Sequence, residues 1–405
     1  MHSDARSGAA VLIQLIQRDY PEECFCCYGT ADRVLIGFGT ESTLRLANAD
    51  SFNAVWGDIS AYFEANRNDY VMGFIGFDPS NKLNNCIDGD REKSGLFVPD
   101  TVIECRKDGC SVLKGEFDVE SINGQQMPVN TAAIDIADLD RDEPRERYAA
   151  SVAEIIDAIQ AGLIERITLA RKIKSHKDFD LAGTFLSDQS HHRLARSFYF
   201  SNESIAFSGQ SPELLAYGNV ESFYTYKLSG TCAKTDKLPV AAIISEFRKD
   251  PRIVAEHQSA IATIEDSLIG LGTVQSNKFE VIELPTLLHG VSTFTTRPRK
   301  SVTVADCVRT IFPFGVNPVE EGLAFLDQHE DFCRGPYYGL VGCILPDGEF
   351  SFSQILRSAF VDHDGSYIVV GAAITSRSTA ELEVAETRTK LSGVRVFGRE
   401  QSLTS

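Results

Sequence analysis

A chain of 405 residues, 43% hydrophobic and 24% charged, has the composition of a soluble globular protein and the length to bury a large core. Its 57 acidic residues against 39 basic ones leave a net charge of −18, which argues against nucleic acid or an anionic membrane as the main partner, because both need a basic face. No apolar run reaches the ~18 residues of a membrane span, and "MHSDARSGAAVLIQLIQRDY" lacks the long apolar core and cleavage site of a signal peptide, so a cytoplasmic location is expected.

The ten cysteines are scattered, and in a reducing compartment they read as free, buried thiols. Cys24, Cys26 and Cys27 in "CFCC" have no CxxC partner pair or suitably spaced histidine for a zinc site. Short β-type runs bounded by turn signals fill residues 30 to 120, among them "RVLIGFGT", "VMGFIGFD" and "DTVIECRKDGCSVLKGEF". The charged stretch 136–151 reads as a solvated connector and helix start, leading into a helix in which Val152, Ile155, Ile156 and Ile159 recur at helical spacing. One large domain over 1–405 is expected, with a β-rich portion over 1–140 and a second portion over 145–395.

Beyond residue 165 come many strand candidates, from "RITLARKIK" to "SYIVVGAAI", interrupted by helical patterns at "PRIVAEHQSAIATIEDSL", "NPVEEGLAFLDQHEDF" and "STAELEVAETRTKL". Many strands joined mostly by short turns predict an α+β fold with large antiparallel sheets and helices packed outside. In the helix after residue 250, Ile253, His257, Ile261, Ile264 and Leu268 form the inward stripe, with Glu256 at its edge.

The last helix raises the functional question. Ser378 suits the N-cap and Glu381 completes a capping box. Glu383, Glu386 and Lys390 fall within about 60° of one another around the axis, while Glu381 points away. Such a face is either a solvated ion pair or, with a further carboxylate such as Glu256, a site for a hard cation.

Taken in order, "ERITLAR", "SPELLA", "KLSGT", "AEH", "LLHGVS", "FP", "RGPYYGLVG", "ILRS", "VGAAI" and "STAELEVAETRTK" resemble the chorismate-utilising enzymes, among them isochorismate, salicylate, anthranilate and aminodeoxychorismate synthases. The resemblance spans roughly residues 145 to 395. It implies antiparallel sheets enclosing the site, with Mg²⁺ coordinated by Glu256 and Glu386 and a metal-bound water held by Glu383. It implies that the metal holds the ring carboxylate of chorismate, and that Arg357 and Tyr337 bind the enolpyruvyl carboxylate, a task suited to a planar guanidinium. The backbone of Gly371, Lys390 and Thr231 match further substrate contacts, and His289 matches a position at the catalytic centre. Glu213 matches the general acid, a role in which burial would keep it protonated.

The resemblance is nearest the water-using isochorismate and salicylate branch. Leu228 and the "LAR" of residues 169–171 look like that branch, Ser229 stands where aminodeoxychorismate synthases carry a lysine, and no glutamine-hydrolysing domain is attached. The expected activity is conversion of chorismate to isochorismate, with loss of pyruvate to salicylate as the further step, in siderophore or other secondary metabolism. Two alternatives stay open: an ammonia-using synthase with a separate glutamine amidotransferase partner, and a non-catalytic chorismate-binding relative. The family's lysine base corresponds to Arg166, a poor proton acceptor. Ile253 and Val319 replace an acid and a lysine, Ala373 replaces a glycine, and the loop after "FP" is short.

Overall fold

Strand-forming runs rich in branched and aromatic residues, closed by turn residues every few positions, dominate the chain. The structure is a computed structural model that describes residues 5–46, 52–77, 94–120, 132–140, 142–186, 195–233, 239–283 and 287–398. Among them two large sheets form, both antiparallel throughout. The ten-stranded sheet runs in the order Val316–Asn317, Arg166–Lys174, Gly365–Ile374, Ser358–Asp362, Ile205–Ser211, Arg196–Ser201, Phe25–Gly29, Arg33–Phe38, Thr101–Arg106, Gly109–Lys114. The nine-stranded sheet runs from Gly272–Glu283 through Leu287–Pro298, Phe223–Ala233, Leu214–Gly218, Phe350–Gln354, Leu340–Ile344, Val71–Ile75 and Phe97–Val98 to Ser42–Thr43. The expected α+β architecture is therefore present, and strands from the first 120 residues sit in the same two sheets as those after residue 165.

The sheets face one another across an aromatic layer. Phe74 of the nine-stranded sheet meets Phe200 and Phe207 of the ten-stranded one at 4.9 and 5.3 Å between ring centroids, both edge-on. Edge-to-face rings add roughly 0.5–1.5 kcal/mol each beyond the area they bury. Helices cover the outer faces: Ala5–Asp19 and Leu181–Leu186 pack on the ten-stranded sheet, and Phe52–Ala65, Pro251–Leu271 and Val304–Thr310 on the nine-stranded one. Central strands such as Val71–Ile75 and Leu340–Ile344 are buried at every position, which is why they read as continuous apolar runs instead of alternating ones.

Helix Val304–Thr310 is fixed by a capping box, Thr303 Oγ1 accepting from Asp306 N at 3.2 Å and Asp306 Oδ2 accepting from Thr303 N at 2.8 Å. Thr303→Ala should cost about 1 kcal/mol, seen as a lower urea midpoint with an unchanged slope.

Several expectations need correction. Helices Ala5–Asp19 and Phe52–Ala65 lie in the portion read as β-rich. Asp140, in the stretch read as a solvated connector, is 5% exposed and ion-paired to the buried Arg171 at 2.5 Å. The final helix is capped by Thr379, whose hydroxyl accepts from Leu382 N, and not by Ser378, so Glu381 completes no box. Among the described residues seven cysteines, including Cys24, Cys26 and Cys27, are free thiols, but Cys333 is disulfide-bonded.

Candidate active site

The chain passes between the two sheets at two neighbouring places. After Ile205–Ser211 in the ten-stranded sheet it enters the nine-stranded one at Leu214–Gly218; after Phe350–Gln354 it returns at Ser358–Asp362. Backbone bonds tie the crossings together: Gln354 N donates to Glu213 O at 3.0 Å, and Gln210 N to Arg357 O at 3.4 Å. Glu213 and Arg357 are the residues at these crossings, 144 positions apart in sequence and adjacent in the fold.

Arg357 adopts φ 50°, a left-handed backbone uncommon for a residue with a side chain. Gly209 beside it is obligatory: a Cβ there would stand 2.4 Å from Ser358 Oγ and 2.8 Å from Arg357 O. Arg357 as a residue is solvent-exposed, while its guanidinium is crowded enough by protein to feel desolvation. Burial pulls its guanidinium below the ordinary value, and the Glu213 carboxylate pushes the other way. It makes no hydrogen bond or ion pair among the described residues. Glu213 is partly buried, its Oε1 3.9 Å from Lys227 Nζ and its Oε2 buried without a hydrogen-bond partner among the described residues. The carboxylate therefore has two cationic neighbours.

A second group is built by the final helix, Ala380–Ser392, where it meets strand Gly365–Ile374. Lys390 Nζ donates to Gly371 O at 2.9 Å and pairs with Glu386 Oε1 at 2.7 Å. Gly371 cannot carry a side chain, because a Cβ would sit 2.7 Å from Leu169 O. Glu383, one turn before Glu386, is 6% exposed. Tyr337 is buried, which raises its phenol well above the usual range, in the turn 334–339 that also holds Tyr338 at φ 70°. Tyr148 connects the groups: burial first, then the charges of Glu383, Tyr337 and Glu386, push its phenol upward.

Arg166 opens strand Arg166–Lys174, opposite Asn317 of the edge strand, and makes no hydrogen bond or ion pair among the described residues. The backbones of Thr231 and His289 pair across adjacent strands. The side chains of Thr231, His289 and Glu256 lie outside the described residues. His257, beside Glu256, is buried with Nε2 2.7 Å from Ser292 Oγ, so the inward stripe of that helix stands as expected. Among the described residues no three His, Cys, Asp or Glu side chains cluster closely enough to hold a metal. Glu383 and Glu386 still supply two carboxylates of the chemistry a hard cation takes, one buried and one half-exposed on the same helical face.

A guanidinium beside a carboxylate, and a lysine held on a strand carbonyl near buried phenols, are groups suited to a small carboxylate-bearing substrate. The profile of the family described as chorismate binding enzyme matches residues 20–395. The chain belongs to the chorismate-binding enzyme family. It is similar to an anthranilate synthase component 1 of Haloarcula marismortui, 25% identical over 289 residues that cover 68% of this chain and 54% of that protein. It is similar also to the salicylate synthase of Mycolicibacterium paratuberculosis, 27% identical over 288 residues, covering 68% and 62%. The chain thus spans between half and two thirds of these relatives' length. The menaquinone-specific isochorismate synthase of Escherichia coli shares the fold, with TM-score 0.72 and 18% identity over 96% of this chain and 90% of that one.

Two neighbours of the candidate site residues in this member of the chorismate-binding family escaped the sequence reading. Lys227 stood in plain view in "KLSGT", but only strand pairing puts it beside Glu213. Tyr148 sits in a helix whose apolar spacing marks it as core, and its polar neighbours come from the far end of the chain.

Proposed function

We propose that this protein adds water to chorismate to give isochorismate, with loss of pyruvate to salicylate as the further step, and that it uses Mg²⁺. The observation that carries the reading is Arg357, a guanidinium held on a left-handed backbone beside Glu213 that makes no hydrogen bond among the described residues. Its planar fork of donors is therefore open to a carboxylate.

In this reading Arg357 and Tyr337 take the enolpyruvyl carboxylate. Lys390, oriented by Gly371 O and Glu386, faces the other end of the substrate. Glu213 delivers a proton to the departing 4-hydroxyl, and Arg166 orients the attacking water. Glu256, Glu383 and Glu386 would hold a divalent cation whose charge, when bound, neutralises the ring carboxylate. The cytoplasm and secondary metabolism, siderophore formation included, are the proposed setting.

The similarity to anthranilate synthases favours a second reading, in which ammonia from a glutamine-hydrolysing partner replaces water. Incubation with chorismate and Mg²⁺, with and without ammonium, separates the two; product formed only with ammonium would sink the hydration reading. Arg166→Lys is expected to raise hydration turnover roughly 10²-fold, the lower end of what a positioned base contributes. Chorismate binding in calorimetry with no turnover in either protein would instead identify a non-catalytic relative.

A further inference from the structure

Among the described residues the edge of the ten-stranded sheet is only partly closed. The short strand Val316–Asn317 pairs with Ile167 and Arg166 alone, and beyond that Thr168 N donates to Gly315 O and Ala170 N to the Glu330 carboxylate at 2.7 Å. The alternation of an antiparallel strand turns the amides of Lys172 and Lys174 toward the same side. There they meet a cavity of about 610 Å³ bounded by Arg147, Tyr148, Arg171, Lys174 and His329. Its size is that of a small-molecule site.

The cavity is basic in a protein of net charge −18. Its acids are engaged: Glu330 pairs with Arg334, and Asp331 with Arg147. Lys172 lies 3.9 Å from Asp362 and 3.7 Å over the Tyr367 ring. Arg171 is 4% exposed, and the Asp140 carboxylate beside it is shared with Arg388, so two guanidiniums face one carboxylate. Arg171 Nη2 is buried without a hydrogen-bond partner among the described residues. Lys174 at the rim is exposed and makes no ion pair among them.

We propose that this edge cavity binds a small anion bearing a carboxylate or phosphate group, seated on Lys174 and the strand-edge amides, with the buried Arg171 guanidinium adding its charge from the other face of the strand. The protein already supplies the precedent one step along the strand, where the Glu330 carboxylate caps Ala170 N. The bound anion would be felt at the cleft, because Arg171 Nε donates to Thr387 Oγ1 at 3.2 Å, and Thr387 is a buried residue of the helix that carries Glu383, Glu386 and Lys390. The site does not depend on the reaction proposed above.

The test is calorimetric titration of the full chain with inorganic phosphate and, separately, malonate, at constant ionic strength and without chorismate. Saturable binding of at least one is expected, phosphate alone marking a phosphate site and malonate alone a carboxylate site. Lys174→Glu should weaken it by roughly tenfold or more, as for loss of a charge-assisted contact. Lys107→Glu, an exposed reversal elsewhere, should leave it unchanged. Arg171→Met should abolish it, but Arg171 is buried, so Lys174→Glu at the rim is the deciding variant. Absence of a saturable isotherm with either anion, or binding by Lys174→Glu equal to the parent, overturns the proposal.

Discussion

Replacing Arg357 with glycine is expected to lower kcat/KM for chorismate by roughly 10²–10³-fold while changing stability by no more than about 1 kcal/mol. A non-glycine residue at φ 50° carries strain of about 1–2 kcal/mol, which glycine relieves. Against that, glycine gives the unfolded chain extra freedom, a cost of about 0.5–1 kcal/mol. The guanidinium itself makes no hydrogen bond among the described residues that the variant would forfeit, and burial already works against its charge. Its contribution appears only when an anion arrives, and truncating one side of a buried, hydrogen-bonded charge pair costs about 2–5 kcal/mol of binding. Steady-state kinetics beside thermal melts check this. A large fall in melting temperature that parallels the lost activity would mean that Arg357 holds the crossing together instead of holding substrate.

Arg334→Met is expected to have the largest effect on folding, a loss of about 3–5 kcal/mol. Arg334 and Glu330 are 1% and 2% exposed and joined by two hydrogen bonds, Nε to Oε2 at 2.7 Å and Nη2 to Oε1 at 2.5 Å. Arg334 Nη2 also donates to Thr168 O at 2.6 Å, and its guanidinium stands 4.4 Å from the Phe77 ring centroid. Through Glu330 it reaches Ala170 N, so this pair does for the strand edge what a longer neighbouring strand would have done. Methionine fills much of the space but removes the guanidinium that pairs with the buried Glu330 carboxylate. Burial of a carboxylate whose paired cation has been removed disfavours its charged form, so the cost grows as pH rises through the carboxylate range. The deficit should therefore be larger at pH 8 than at pH 5, as read from urea midpoints at both. An equal deficit at the two pH values would show that Glu330 had found another partner. Because Ala170 pairs with Gly371, the variant should also disturb the wall that positions Lys390.

What the sequence made legible was periodic. Ile253, His257, Ile261 and Leu268 are buried along one face of their helix as the spacing requires, and strands such as Leu340–Ile344 and Gly365–Ile374 fall where apolar runs meet turns. The helix carrying Glu383, Glu386 and Lys390 was legible too, although its cap moved by one residue because Ser378 accepts from Thr375 N instead. Helices Ala5–Asp19 and Phe52–Ala65 were hidden because short apolar runs do not distinguish helix from strand. Asp140 was misread because a charged stretch looks solvated until the Arg171 that buries it is placed beside it. Arg357 reads as one more strand residue in "ILRS", since nothing local announces a left-handed backbone where two sheets exchange strands. The proximity of Lys227 and Glu213 follows from the hairpin of Leu214–Gly218 and Phe223–Ala233, whose register, Tyr217 opposite Tyr224, carries Lys227 back beside Glu213; reading the two strands without their register left that contact unseen.

The most direct measurement is turnover of chorismate with Mg²⁺ in water enriched in the heavy oxygen isotope, followed by mass spectrometry of the product. The account predicts one heavy oxygen in isochorismate, retained as the ring hydroxyl if the product proceeds to salicylate. A product without the isotope, or one that forms only when ammonium is supplied and carries its nitrogen, would contradict it.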